Sequence, residues 1–129
     1  NYKLNRDLKI SANATYTKVE DDLKLRIPEL KVNAKLDYQF SPRTFMSLTY
    51  QYNDEREDAF FNSTTFESET VTVNLKSYSL LDFYVSQKFI NDKLMLFVNL
   101  TNIFNTDYQE LFGYTTKGIN INIGFNLSF

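Results

Sequence analysis

The sequence predicts an all-β chain: an antiparallel transmembrane β-barrel segment of about six strands, a part of some larger barrel. Three observations carry this reading. Apolar and polar residues alternate strictly over six segments, the connections between those segments alternate short and long, and aromatic residues gather near segment ends on the apolar face. Residues 1–129 read as one such unit.

The first segment sets Leu8, Ile10, Ala12, Ala14 and Tyr16 against Lys9, Ser11, Asn13, Thr15 and Thr17. A period of two gives a strand with two different faces, which no helical repeat reproduces. In the second, Leu30, Val32, Ala34, Leu36, Tyr38 and Phe40 oppose Lys31, Asn33, Lys35, Asp37 and Gln39, so every charge lies on one face. The third runs Met46, Leu48, Tyr50, Tyr52 against Ser47, Thr49, Gln51. Two segments are less regular. Around Leu81, Phe83 and Val85 the polar face holds Asp82, Ser86 and Lys88 but also Tyr84; around Leu94, Leu96, Val98 and Leu100 it holds Asn99 and Thr101 but also Met95 and Phe97. Apolar residues on that face predict local packing inside. The last segment alternates without a break, with Ile119, Ile121, Ile123, Phe125, Leu127 and Phe129 opposite Asn120, Asn122, Gly124, Asn126 and Ser128.

Ser41-Pro42-Arg43 and residues 90–93 are short turns, whereas residues 18–29, 53–76 and 103–117 are long connections. Membrane barrels have short periplasmic turns and long outer loops. Both ends of the chain are then expected on the periplasmic side. A soluble β-sandwich or lipocalin-like barrel is the alternative, since period two alone suits it equally. Three features favour the membrane: segments of about 11 residues against the usual 5 or 6, interfacial aromatics at Tyr16, Tyr38, Phe40, Tyr50, Tyr52, Phe89 and Phe129, and turns poor in Gly. Six strands cannot close such a barrel, because single-chain examples start at about 8. Unpaired edges in hydrocarbon would cost several kcal/mol per backbone group, so the rest of a longer chain or a second polypeptide is expected to supply the missing strands.

Composition narrows the chemistry. No Cys or His is present, which removes the usual zinc sites, disulfides and Ser-His-Asp or Cys-His nucleophiles, and an enzyme is not expected. No cofactor is expected either. A net charge of −2 offers no basic face to nucleic acid. The longest apolar stretch, residues 94–98, is far short of the roughly 20 residues of a spanning helix, and no signal peptide opens the chain.

Two motifs resemble a known family. The run from Gly118 to Phe129, alternating and ending in Phe, resembles the signal by which the barrel-assembly machinery recognises outer-membrane proteins; Ile121, Ile123, Phe125, Leu127 and Phe129 carry it. Just upstream, residues 98–108 are similar to the penultimate-strand signature of TonB-dependent receptors, where Asn102, Phe104 and Tyr108 match the pattern Asn-Leu-Phe-Asp-x-x-Tyr. Arg26-Ile27-Pro28 opening a strand, a short turn and the run from Leu48 to Tyr52 also look like the last third of such receptors, vitamin B12 receptors in particular. The chain departs at Lys117-Gly118, where the family often has Gly-Arg, and neither plug nor TonB box lies in this sequence.

The resemblance implies a barrel of about 22 strands with a plugged lumen in the outer membrane of a Gram-negative bacterium. There it would import a scarce ligand such as a siderophore or cobalamin. Implied partners are membrane lipids, the remaining barrel and plug, TonB through an N-terminal region, the assembly machinery and a surface lipoprotein. A structural or assembly role beside another chain is the alternative. Lys9, Asn13, Lys31, Lys35, Asp37, Asp82 and Lys88 would face the lumen, first as solvating charges and second as a substrate path. In the long connections Phe60, Phe61, Tyr108, Phe112 and Tyr114, with Phe66 nearby, are the candidate ligand contacts, and packing of the loops on themselves is the competing reading. Asp54, Glu55, Glu57 and Asp58 read as a solvated charged loop rather than a cation site, for no spaced calcium-loop motif is present.

Overall fold

The structure is a computed structural model that describes residues 2–3, 7–18, 25–62 and 69–129. In chain order its strands are β1 (Tyr2–Lys3), β2 (Leu8–Tyr16), β3 (Leu30–Ser41), β4 (Thr44–Asn53), β5 (Arg56–Asn62), β6 (Glu69–Leu75), β7 (Tyr78–Phe89), β8 (Leu94–Thr101), β9 (Gln109–Leu111), β10 (Tyr114–Thr115) and β11 (Asn120–Leu127). One antiparallel sheet runs β1-β2-β3-β4-β7-β8-β11, and two small hairpins, β5-β6 and β9-β10, stand apart from it. The six alternating segments are thus its six long strands, joined in chain order.

Register brings the alternation of each strand into line with the next. Ile10, Leu36, Leu48, Phe83, Leu100 and Ile121 form one row across the middle of the sheet, and one residue along, Lys9, Asp37, Ser47, Tyr84, Asn99 and Asn122 form a row facing the other way. A slip of one residue anywhere would turn a strand's apolar set to the wrong side. One face is therefore apolar from edge to edge.

No second layer of described residues covers that face. Ile121 is 59% exposed, Ile123 77% and Phe125 71%, and the buried apolar side chains among the described residues are Leu75 and Tyr78, which lie outside the middle of the sheet. A soluble sandwich would bury this stripe against a facing sheet about 10 Å away. Here no described residue covers the stripe.

The opposite face packs locally where the sequence interrupts its polar pattern. Phe45 and Tyr84 lie 6.1 Å apart between ring centroids, and Tyr84 and Phe97 likewise. Phe97 then covers Gly124 on β11, where a Cβ would collide with the ring. This is a cross-strand aromatic row, closed at the edge by a glycine.

Both short turns lie at one end of the sheet with Leu8 and Leu127, and the three long connections lie at the other. Ser41 Oγ accepts from the Thr44 amide at 3.1 Å in the first turn. Ile90, Asn91 and Asp92 all take positive φ in the second. Asn and Asp tolerate that region, while a β-branched Ile is strained in it. Among the described residues the outer strand β11 bonds to β8 alone, and its far edge has no described partner.

The connections are less loop-like than their charge suggests. Residues 53–76 contain β5 and β6, paired in regular register from Arg56↔Leu75 to Asn62↔Glu69, and residues 103–117 contain the small hairpin. Residues 26–28 open no strand: Arg26 sits in a turn at φ 66° and β3 begins at Leu30.

Candidate functional site

The long connections meet in an outer lobe built on one face of β5. Arg56, Asp58 and Phe60 alternate on that strand, and each fastens to the β9–β10 hairpin. Arg56 Nη2 donates to the Gln109 carbonyl at 2.6 Å, the Phe112 amide donates to Asp58 Oδ2 at 2.7 Å, and the Phe60 and Phe112 rings stack at 4.6 Å. Asp58 also takes Arg26 Nε at 2.7 Å and the Ala59 amide at 2.9 Å on Oδ1. The Arg26 amide donates to the Glu57 carbonyl at 2.6 Å, so residues 25–29 join the same lobe.

Asp58 corrects the expectation of a solvated acidic loop. It is 2% exposed, and it stays charged because donors surround it. The Phe112 amide first, and the Arg26 side chain after it, hold its carboxyl below the usual carboxylate range against the opposing effect of burial. Glu55 and Glu57 do face solvent. Among the described residues no group of three or more acidic side chains is placed to hold a metal ion.

Arg56 is 8% exposed and lies 5.3 Å from the centroid of the Tyr78 ring, on which Tyr108 also stacks at 4.3 Å. Cation and aromatic face attract each other, more strongly when desolvated. Its Nη1 and the Nδ2 of Asn53 are buried without an acceptor among the described residues. Such groups are rare in folded proteins and cost stability.

Asn102 builds the inner end of the lobe. It is 5% exposed at φ 52°, receives the Thr106 amide on Oδ1 at 2.9 Å and donates Nδ2 to the carbonyls of Thr106 at 3.0 Å and Lys117 at 3.2 Å. Its own amide donates to Asp82 Oδ1 at 2.8 Å. Asn105, also at positive φ, accepts the Ile119 amide at 2.9 Å. These two asparagines turn the chain out of β8 and seat the start of β11. Asp82, which stands opposite Thr49 in the polar-face register, also serves this turn.

Between β6 and the small hairpin lies a cleft of about 320 Å³, lined by Asn74, Leu75, Lys76, Ser77, Asp107, Tyr108, Gln109, Phe112, Thr115 and Thr116. Of the aromatics singled out from sequence, Tyr108 and Phe112 line it. Phe60 stacks behind Phe112, while Phe61 and Tyr114 are 66% and 71% exposed. Phe66 lies outside the described residues. Arg26, Arg56 and Asn53 were not singled out for this site; the alternation of Arg56, Asp58 and Phe60 is the signal that points to it.

At the other end of the chain Ile121, Ile123, Phe125 and Leu127 form the exposed apolar side of the edge strand, and Phe129 follows just beyond it. The Ser128 amide still bonds to the Lys93 carbonyl at 2.8 Å. On the inner face Lys35 Nζ meets Asp37 Oδ1 at 3.1 Å, and Ser47 Oγ donates to the same oxygen at 2.7 Å.

No protein-family profile matches the chain. Among solved structures it is similar to the siderophore receptor PirA from Acinetobacter baumannii, with a TM-score of 0.73 and 19% identity, over 96% of this chain and 20% of that one. The chain therefore spans about a fifth of the length of the protein it matches. It shares that protein's fold over this stretch: an antiparallel segment of a transmembrane β-barrel.

Proposed function

We propose that this chain is wall from an outer-membrane TonB-dependent receptor that imports a scarce ligand of the siderophore or cobalamin kind. The observation that carries the reading is the apolar face in register across six strands, with no layer of described residues over it and no described strand beyond β11. Hydrocarbon is the solvent that face suits, and more strands of the same barrel are what the edge requires. Likeness of fold to a siderophore receptor supports the transporter class. An enzyme is not part of this reading.

In it the sheet end with the short turns is periplasmic, the lobe is extracellular, and the inner face looks onto a plug supplied by the rest of a barrel of about 22 strands. The exposed stripe from Ile121 to Phe129 would be read by the assembly machinery during insertion. Tyr108 and Phe112 contact cargo in the cleft, with Phe60 supporting them and Phe61 and Tyr114 available at the surface. TonB, acting through a region outside this sequence, would drive release of ligand inward.

The test is uptake by cells expressing the intact protein, using ferric siderophores labelled with radioactive iron and cobalamin labelled with radioactive cobalt. Accumulation is expected to require both the protein and TonB, and Tyr108→Ala with Phe112→Ala should weaken surface binding while the barrel still resists denaturation on a gel. Equal accumulation with and without the protein, across siderophores and cobalamin, would favour the structural or assembly role.

A further inference from the structure

The β9–β10 hairpin is too small to hold itself. It has three residues on one side and two on the other, joined through Phe112 and Gly113, the latter at φ 82° as such a turn requires. Even longer isolated hairpins are marginal in water. Its position must come from what it is fastened to, and the fastenings run to β5: the Arg56 bond to Gln109, the Asp58 bond to the Phe112 amide, and the Phe60 stack.

Those fastenings are unequal. Arg56 grips through Nη2 with Nη1 buried and unmatched among the described residues, so burial there opposes the grip. Asp58 is fully satisfied, and a carboxylate accepting from a backbone amide in a buried setting makes one of the stronger hydrogen bonds a protein has. Arg26 braces it from a third connection with a side chain 57% exposed, a weaker contribution. Among the polar fastenings, one carboxylate thus carries most of the hold on the hairpin.

What the hairpin covers is the cleft. One wall is Leu75, Lys76 and Ser77 at the end of β6, and the other is Tyr108, Phe112 and Thr116 from the hairpin and its base. Leu75 is 4% exposed. We propose that the 109–115 hairpin is a lid on this cleft, and that Asp58 is the clasp that holds it shut. Releasing the Asp58 bond swings Phe112 off Phe60 and opens the cleft to solvent, while the main sheet, whose register does not involve Asp58, keeps its shape. Assignment of the cleft to cargo rests on the receptor reading; the lid does not.

The experiment reads lid position in the intact protein in detergent or lipid, with no ligand added. Leu75→Cys serves as a thiol probe behind the lid, alone and combined with Asp58→Ala, and amide hydrogen exchange is followed across the chain. In the Asp58→Ala background, thiol labelling and exchange over residues 109–116 should each accelerate about tenfold or more, with β7, β8 and β11 unchanged. Phe60→Ala, which leaves the carboxylate in place, should give a smaller acceleration confined to the same residues. Unchanged labelling and exchange in both variants would overturn the lid, as would an equal loss of protection throughout the sheet. A functioning lid in a protein that imports nothing would leave the clasp standing and remove the receptor.

Discussion

At the scale of single residues, a carboxylate buried to 2% exposure beside an aromatic stack remains ionised only if donors replace its water. Asp58 has three, from Phe112, Arg26 and Ala59. Its folded pKa is depressed, so its stabilisation is present above the unfolded carboxylate pKa and is lost as pH falls through the folded value. The outer lobe should therefore stay joined in mildly acidic medium and loosen only below the usual carboxylate range. Following the Asp58 carboxylate by carbon-13 NMR should give a midpoint below that of a free aspartate; Arg26→Gln should raise it only partway, because the Phe112 amide is the larger cause. A midpoint at the ordinary value would mean the amide bond does not form. Sequence reasoning misread this residue because charge in a long connection ordinarily marks solvent. The partner that buries Asp58, Phe112, lies 54 residues away. Asn102 was legible as part of a motif, yet its work, a left-handed turn closed by its side-chain oxygen accepting the Thr106 amide, belongs to geometry that a residue type only permits.

Among the elements, those whose two faces differ in polarity were readable and those whose faces meet protein were not. The long strands alternate because one side is apolar and the other polar, and that difference is written into each strand on its own. In β5 the inward set is Arg56, Asp58 and Phe60, a mixture that hydrophobic periodicity does not detect, and β9 and β10 are too short to show a period. Tyr84 and Phe97 broke the polar pattern for a reason the structure supplies, the aromatic row that ends over Gly124. A methyl group at Gly124 would force the Phe97 ring off the strand and away from Tyr84. Gly124→Ala is accordingly expected to cost about 1–2 kcal/mol of stability, and the same substitution in a Phe97→Leu background should cost much less. A double-mutant cycle by urea unfolding in lipid measures the coupling. Additive effects would show that the ring does not restrict this position.

For the whole molecule the question is which solvent each face of the sheet meets. Sheets ordinarily bury an apolar face against another layer, and this one leaves Ile121, Ile123 and Phe125 more than half exposed along an open edge. If hydrocarbon covers them, adjacent positions on β11 must respond in opposite ways to the same charge. Ile121 lies in the middle row, opposite Leu100, and Asn122 lies one residue on, opposite Asn99, facing the other way. Arg at Ile121 is expected to cost roughly 2–4 kcal/mol near the bilayer midplane. At Asn122 it should be tolerated, since that side of the strand meets water and polar side chains such as Asn99 and Tyr84. Reversible unfolding of the intact protein from lipid vesicles measures both. A large penalty at Ile121 alone places the apolar face in lipid, and equal penalties would mean that protein, such as a second sheet, covers both sides of this strand.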